Sequence, residues 1–162
     1  MLKWDKRINE IAFLLNPAFC GRLIYHTILE YQKQAKRAFP FMLTYLILPI
    51  ILHKKTREFI NSKTQMHVWL QRYPYLLIGF AMRTKNLVQI TNEVIEFLLH
   101  CKIISISDSG EINIDKILPS SKEKYAVDDE LSDCINKSKH IARWFAKSGN
   151  TETIYIMWGV RP

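Results

Sequence analysis

Glycine, cysteine and long hydrophobic runs are scarce in this chain, and each shortage excludes a class of protein. Five glycines among 162 residues are too few for a loop-rich barrel or a phosphate-cradling fold. The three cysteines, Cys20, Cys101 and Cys134, lie far apart and within apolar helical patterns. We therefore expect buried thiols in a reducing compartment, with neither a disulfide nor a metal site. The most apolar run, Phe41–Leu52, is shorter than the roughly 20 residues that span a bilayer.

The amino-terminal segment also argues against membrane targeting. Charged side chains interrupt its apolar pattern, so it lacks the hydrophobic core of a signal peptide. We expect a cytoplasmic protein with no membrane partner.

Motifs of known catalytic chemistry are absent as well. The chain has no GxSxG, HExxH, GxGxxG or Walker sequence, and its five histidines are scattered without metal-ligand spacing. The single carboxylate cluster, Asp128, Asp129, Glu130 and Asp133, falls in the first turns of a predicted helix. Acidic residues there complement the helix dipole, which we prefer to a two-metal nuclease site. We expect no enzymatic activity, cofactor or metal.

The charge of the chain is positive and unevenly placed. The formal net charge is +8, with 11 Lys and Arg against 4 Asp and Glu in residues 1–63, but 8 against 9 in residues 103–162. Hydrophobic residues make up 48% of the chain, which is too much for a disordered protein. The basic amino-terminal half is typical of a surface that meets an acidic protein face or nucleic acid, and a solvated basic surface is the alternative.

Apolar periodicity predicts helices in the first half. A helix is expected over Asp5–Leu15, and a second of about 20 residues begins at Pro17 behind the N-cap Asn16. Phe41–Leu52 is apolar all round and predicts a central buried helix, with a buried strand as the alternative. The polar sequence HKKTREFINSK then predicts one or two short turns.

The second half predicts three short helices and a β-hairpin. Met66–Arg72 forms the first helix, Pro74 opens the second, and Thr84 caps the third. IISISDSGEINI then alternates around Asp108-Ser109-Gly110. This order is typical of a winged helix-turn-helix.

A last helix ends at Ser148-Gly149-Asn150, and Thr153–Trp158 is expected to be a strand that joins the hairpin. The fold class is therefore mostly α with a small antiparallel β-sheet, containing a winged helix-turn-helix-like unit within a helical domain. We expect a single compact domain over residues 1–162. It would consist of a helical basic half (1–63), the winged-helix-like unit (64–118) and a C-terminal helix and strand (119–162).

The predicted winged helix is poorly charged for reading DNA. The wing carries Asp108 and Glu111 and no arginine, whereas phosphate contacts need Lys or Arg. We therefore expect a protein-docking role for this unit, and any DNA contact would fall to the basic half.

Several short motifs, in their order along the chain, resemble those of one family. They are NPAFC at 16–20, FPF at 39–41, LPIILHKKTR at 48–57, ARWFA at 142–146, TIY at 153–155 and GVRP at 159–162. Together they resemble the middle component of three-component ABC (ABC-3C) systems, a family that includes the small subunit LmuC of Lamassu defence complexes. The resemblance extends from about residue 10 to the end of the chain. Lys55 departs from it, because an acidic residue is expected there.

The resemblance implies a non-enzymatic adaptor in a prokaryotic anti-phage or anti-plasmid complex. Its partners would be an SMC/Rad50-like ABC ATPase and an effector, often a nuclease, so the chain would act in a hetero-oligomer that also meets DNA. A free-standing winged-helix DNA-binding regulator is the alternative.

Two sets of residues are singled out by these patterns. Candidates for contact with a partner or DNA are His53, Lys54, Lys55, Arg57, Trp4, Trp69, Tyr73, Tyr75, Arg143 and Arg161. The structural motif residues are Asn16, Pro17, Phe19, Pro40, Pro49, Trp144 and Phe145. For His53–Arg57 the alternative is a helix end with cations near its last carbonyls.

Overall fold

A computed structural model describes residues 15–119 and 130–161 of the chain. The α-helices are α1 (Pro17–Ala35), α2 (Thr44–Ile51), α3 (Lys54–Phe59), α4 (Met66–Arg72), α5 (Phe80–His100), α6 (Glu130–Lys147) and α7 (Thr151–Met157). The strands are β1 (Phe39–Pro40), β2 (Ile104–Ile106) and β3 (Glu111–Ile114). Two 3₁₀ turns, Phe41–Leu43 and Pro74–Leu77, precede α2 and α5. The predicted class, mostly α with a small antiparallel sheet, is confirmed.

The start of α1 follows directly from its sequence. Asn16 Oδ1 accepts a hydrogen bond from the Ala18 amide at 2.8 Å, and Pro17 occupies the first helical position, where no intrahelical donor is needed. One face of the helix is buried from Cys20 to Tyr31, and Phe19 packs against the core from its edge. This face lies against α6 in the most extensive contact between two helices. The predicted helix over Asp5–Leu15 lies outside the described residues, except for its last position.

Helix α2 is the central element, as its composition predicts. Thr44 and all residues from Leu46 to Ile51 are buried between α1, α5 and α6. Pro49 removes one backbone donor, and the helix ends two residues later at Ile51. The helical reading of this run is confirmed over the strand alternative.

The sheet contains the predicted hairpin and one strand that was not predicted. Strand β3 pairs with β2 on one side, with Ser105 opposite Asn113, and with β1 on the other, with Phe39 opposite Ile112. Gly110 adopts φ +74° in the hairpin turn, a conformation that favours glycine. Phe39-Pro40, including the motif residue Pro40, therefore supplies the third strand.

Two predicted elements have a different form in the structure. The strand expected at Thr153–Trp158 is wrong, because Asn150 Oδ1 accepts from the Thr153 amide at 2.9 Å and starts helix α7 there. Ile154, Tyr155 and Trp158 are buried at helical spacing while Ile156 is 74% exposed. Thr84 is not a cap either, since its hydroxyl donates to the Phe80 carbonyl inside α5. That helix begins after Gly79, whose φ of +72° ends the 3₁₀ turn.

Three tryptophans and Phe80 form an aromatic cluster in the core. Trp69 lies 5.5 Å from Trp144 and 5.8 Å from Trp158 between ring centroids, and Phe80 lies 4.8 Å from Trp158. Each buried indole N–H has an acceptor: the Phe59 carbonyl for Trp69, the Thr64 carbonyl for Trp144 and Met66 Sδ for Trp158. The motif residue Phe145 is fully buried beside them. Because an unpaired indole donor would be costly inside a core, these bonds fix each ring.

The cysteines follow the prediction in two cases out of three. Cys20 and Cys134 are buried thiols, whereas Cys101 is exposed after the last turn of α5. Burial, with Cys134 nearby, raises the pKa of Cys20 to about 12, so its thiol stays protonated at neutral pH. Apolar periodicity continued past the point where α5 leaves the core, which explains the error at Cys101. No helix of the described segments is long and apolar enough to cross a membrane.

A half-buried histidine in α1 predicts that acid weakens the fold. Burial, together with the cations Lys139 and Arg22, lowers the pKa of His26 to about 4. Between about pH 6.5 and 4 the unfolded chain therefore binds a proton at His26 that the folded chain does not. The stability that this group contributes is complete above about pH 6.5 and is lost as the pH falls towards 4, at no more than about 1.4 kcal/mol per pH unit.

Urea unfolding at a series of pH values tests this expectation. The free energy of unfolding should fall on acidification, and His26→Gln should flatten that fall. His100→Gln is the control, because His100 is exposed. Equal pH slopes in the wild type and both variants would contradict the role of His26.

Candidate functional site

Arg57 does not lie on the exposed surface that its sequence context predicts. Its side chain is 4% exposed and donates from Nη1 to the Ile51 carbonyl at 2.8 Å, from Nε to Asp133 at 2.9 Å and from Nη2 to Glu130 at 2.5 Å. One guanidinium thus joins the end of α2, the helix α3 and the first turn of α6. The expectation that Arg57 is available to a partner is corrected: it is an internal connection.

The remainder of the His53–Arg57 stretch consists of a helix cap and two exposed lysines. His53 Nδ1 accepts from the Thr56 amide at 3.3 Å, and Thr56 Oγ1 lies 2.7 Å from the same atom, so the imidazole caps α3. Burial, with Arg83 and Lys55 nearby, lowers the pKa of His53, which favours the neutral ring that a cap requires. Lys54 and Lys55 are exposed. Lys54 Nζ lies 4.0 Å from Glu58, a surface pair of little energetic weight.

An aromatic corner lies beside these lysines. We define it as Phe59, Tyr73 and Tyr75, whose ring centroids are separated by 5.0 Å (Phe59–Tyr73), 6.4 Å (Phe59–Tyr75) and 6.3 Å (Tyr73–Tyr75). Phe59 is 40% exposed and Tyr75 is 53% exposed, whereas Tyr73 is half-buried. The corner therefore presents a cluster of large apolar rings to solvent.

Two further apolar side chains are exposed in the segment that follows Tyr75. Ile78, just after the 3₁₀ turn, is 77% exposed, and Met82, in the first turn of α5, is 62% exposed. Arg83 fixes this segment, because it donates from Nη1 to the Ile78 carbonyl at 3.1 Å and from Nη2 to the Leu76 carbonyl at 3.2 Å. Large exposed apolar side chains, when they form a patch, mark interaction sites on soluble proteins.

Trp69 supports the corner and does not belong to its surface. It is fully buried, its Nε1 donates to the Phe59 carbonyl at 2.8 Å, and its ring lies 5.5 Å from Tyr73. The expectation that Trp69 contacts a partner is corrected, since the core covers it. Its effect is to fix Phe59 and Tyr73, and a rigid surface loses less entropy on binding.

The remaining predicted contact residues are dispersed. Trp4 lies outside the described residues, and Arg161 is exposed near the end of the described chain. Arg143 is 42% exposed and its Nε donates to Glu30 Oε1 at 2.8 Å. Burial alone would raise the pKa of Glu30, but the hydrogen bonds from Arg143 and Gln34 outweigh it and lower that pKa overall. Arg143 is thus held by a buried carboxylate behind it.

Arg143 also lines a cleft of about 630 Å³ that the sequence did not predict. We define this basic cleft by its walls, the loop and helix start at residues 61–67 and one face of α6 with the start of α7. Its charged and imidazole side chains are Lys63, His67, His140, Arg143 and Lys147, and the lining contains no carboxylate. The Trp144 indole donates to the Thr64 carbonyl at 2.7 Å and so fixes the loop against α6.

A helical signal could have found one wall of this cleft. His140, Arg143, Trp144 and Lys147 recur at intervals of three and four residues, which places them on one face of α6. The opposite wall comes from Lys63 and His67, and no local pattern connects residues so far apart in the chain. Phe59 was not predicted as a contact residue, because its polar neighbours in the sequence indicated a turn.

No group of three or more histidine, cysteine or acidic side chains that could hold a metal occurs in the described ranges 15–119 and 130–161. Asp128 and Asp129 lie outside them. Of the described surfaces, the aromatic corner suits a protein partner and the basic cleft suits an anion.

Comparison with known families gives one match. The model of the family described as ABC-three component (ABC-3C) system Middle Component 3 matches residues 4–162, almost the entire chain. No curated protein and no solved structure matches the chain.

Proposed function

The chain belongs to the Middle Component 3 family of ABC-three component systems, and we propose that it acts there as a non-enzymatic adaptor. In this proposal it bridges an SMC/Rad50-like ABC ATPase and an effector of the nuclease class in a cytoplasmic prokaryotic defence complex of the Lamassu type. The family match over residues 4–162 carries the proposal. It implies partners from the same system, and the chain offers a surface suited to one of them.

We assign the ATPase contact to the aromatic corner and its flanking residues. Aromatic side chains are enriched among the residues that contribute most to protein interfaces, and charged side chains surround them at the rim. Phe59 and Tyr75 supply such anchors, while Lys54 and Lys55 supply a positive rim. The preferred partner surface is therefore an apolar groove with acidic side chains at its edge.

The hydrogen bonds of Arg57 support this assignment indirectly. With lengths of 2.5 to 2.9 Å, they hold α3, and with it Phe59, against α2 and α6. Trp69 holds the other side of the same helix end. A corner fixed from two sides is preorganised for docking, so more of its contact energy is available for affinity.

Co-expression tests the proposal. The full chain should co-purify with the ATPase encoded beside it, and its soluble yield and melting temperature should rise, because partner binding covers exposed apolar area and stabilises the folded state. A monodisperse monomer whose melting temperature ignores the ATPase and effector would contradict it. Sequence-specific binding of one DNA duplex by the isolated chain would instead favour a free-standing winged-helix regulator.

A further inference from the structure

The permanently charged side chains of the basic cleft are all cationic. Among its lining residues three are permanent cations, Lys63, Arg143 and Lys147, and none is acidic. The carboxylate of Glu30, which is 11% exposed in its side chain, is already bonded to Arg143 Nε. Because Glu30 uses Nε alone, the two terminal nitrogens of Arg143 remain for an anion, and a guanidinium can bind phosphate through two such donors.

The neutral lining also favours a phosphate group. Apart from Met66, Trp144, Met157 and the two histidines, the neutral lining residues carry hydroxyl or amide side chains: Asn61, Ser62, Thr64, Gln65, Ser148 and Thr153. Such groups commonly donate to phosphate oxygens in nucleic-acid complexes. The cleft thus combines positive charge with many short donors, as expected of a surface that contacts a phosphodiester chain.

The same lining argues against an acidic protein segment as the occupant. Protein interfaces depend on buried aromatic and aliphatic anchors, whereas protein–DNA interfaces are more polar and much more positively charged. The one tryptophan in the cleft wall, Trp144, is 5% exposed and bonded to Thr64, so it offers no ring for an anchor or for stacking a base. Contacts would therefore be made with the backbone and carry no sequence preference.

We propose that the basic cleft binds the phosphate backbone of nucleic acid without sequence specificity, through Lys63, Arg143 and Lys147. This site is separate from the aromatic corner, so one surface would meet DNA while the other meets protein. The proposal depends on the cleft alone, so a negative result for the ATPase contact would not contradict it.

Salt-dependent binding by the isolated full chain tests it. Fluorescence anisotropy would be measured with two labelled 20-base-pair duplexes of unrelated sequence at salt concentrations from about 50 to 200 mM. Three neutralised phosphates give a slope of log K against log salt near −2.7, or about 40-fold weaker binding across this range. Lys63→Gln with Lys147→Gln should make the slope less negative by about 1.8, which leaves a loss of only about fourfold.

Matched controls separate the cleft from the net charge. Lys63 and Lys147 are exposed, so the double variant should melt like the wild type. Lys85→Gln with Lys116→Gln removes the same charge from exposed positions outside the lining and should keep the wild-type slope. The same measurements with single-stranded DNA and RNA distinguish the nucleic acids.

Three results would overturn the proposal. The first is equal slopes in the cleft and control variants, and the second is a strong preference for one of the two duplexes. The third is polyglutamate binding that is tighter than duplex binding and lost in the cleft variant, which would identify an acidic-peptide site. The expected result is weaker binding with a shallower salt dependence in the cleft variant alone, to the same extent for both duplexes.

Discussion

Replacing Arg57 by glutamate is expected to unfold the protein. The new carboxylate would enter a site that is 3% exposed and would face Glu130 and Asp133 in place of the cation they now bind. The Ile51 carbonyl would also lose its donor at the end of α2. Removing one partner of a buried pair costs about 3–5 kcal/mol, and the repulsion adds to this, against a total stability of about 5–15 kcal/mol.

A neutral replacement separates the loss of charge from its reversal. Arg57→Met keeps much of the buried volume and leaves Glu130 and Asp133, 64% and 44% exposed, free to be solvated. We therefore expect Arg57→Met to cost less than Arg57→Glu, at the lower end of about 3–5 kcal/mol. The order of the two variants distinguishes an electrostatic role from a packing role.

Lys55→Glu is the matched control, because it makes the same charge change two residues away on an exposed side chain. Exposed substitutions of this kind change stability by no more than about 0.5 kcal/mol. Circular-dichroism melts and urea unfolding would be measured for all three variants. If Arg57→Glu and Lys55→Glu have the same melting temperature, the internal role of Arg57 is refuted.

Arg57 also shows where sequence reasoning stopped. Its neighbours His53, Lys54 and Lys55 made it part of a basic corner, and the acidic cluster near Asp133 was assigned to a helix dipole. The structure joins the two, although they are 76 positions apart along the chain. Local patterns report which face of an element is apolar, but they do not report what lies opposite a charged side chain.

The helices were predictable where a single local cause decides them. Asn16 and Pro17 specify the start of α1, and the all-apolar run around Leu46 specifies a buried helix. Thr153–Trp158 alternates well enough for a strand, but the Asn150 cap and the buried spacing of Ile154, Tyr155 and Trp158 favour a helix. Both signals were present in the sequence, and packing against the tryptophan core decided between them.

The two surfaces were only partly predictable for the same reason. Tyr73 and Tyr75 were named because they flank Pro74, while Phe59 joins them only after α3 and α4 pack together. Arg143 was named from its motif, but its place in a cleft depends on the loop that carries Lys63. Tertiary contacts thus converted scattered residues into sites.

Disrupting the aromatic corner is expected to abolish assembly with the ATPase while leaving the fold intact. Tyr75→Asp with Ile78→Asp places two charges in the proposed apolar contact, where burial of an unpaired charge is strongly unfavourable. Loss of a central anchor costs an interface at least about 2 kcal/mol, so the affinity should fall at least about 30-fold. The isolated variant should melt close to the wild type, because the replaced side chains are 53% and 77% exposed.

Controls on the same chain decide what such a loss means. Ile117→Asp introduces a charge at an equally exposed apolar residue outside the corner, 70% exposed, and should bind the ATPase normally. Lys54→Glu with Lys55→Glu should mainly slow association and change its salt dependence, since rim charges act on encounter more than on the bound state. Pull-down and binding kinetics of all three variants separate anchor, rim and unrelated surface. If the corner variant still binds the ATPase and Ile117→Asp does not, the docking surface lies elsewhere. If only the corner variant loses binding, an exposed aromatic cluster fixed by Trp69 is the contact that makes this chain a subunit.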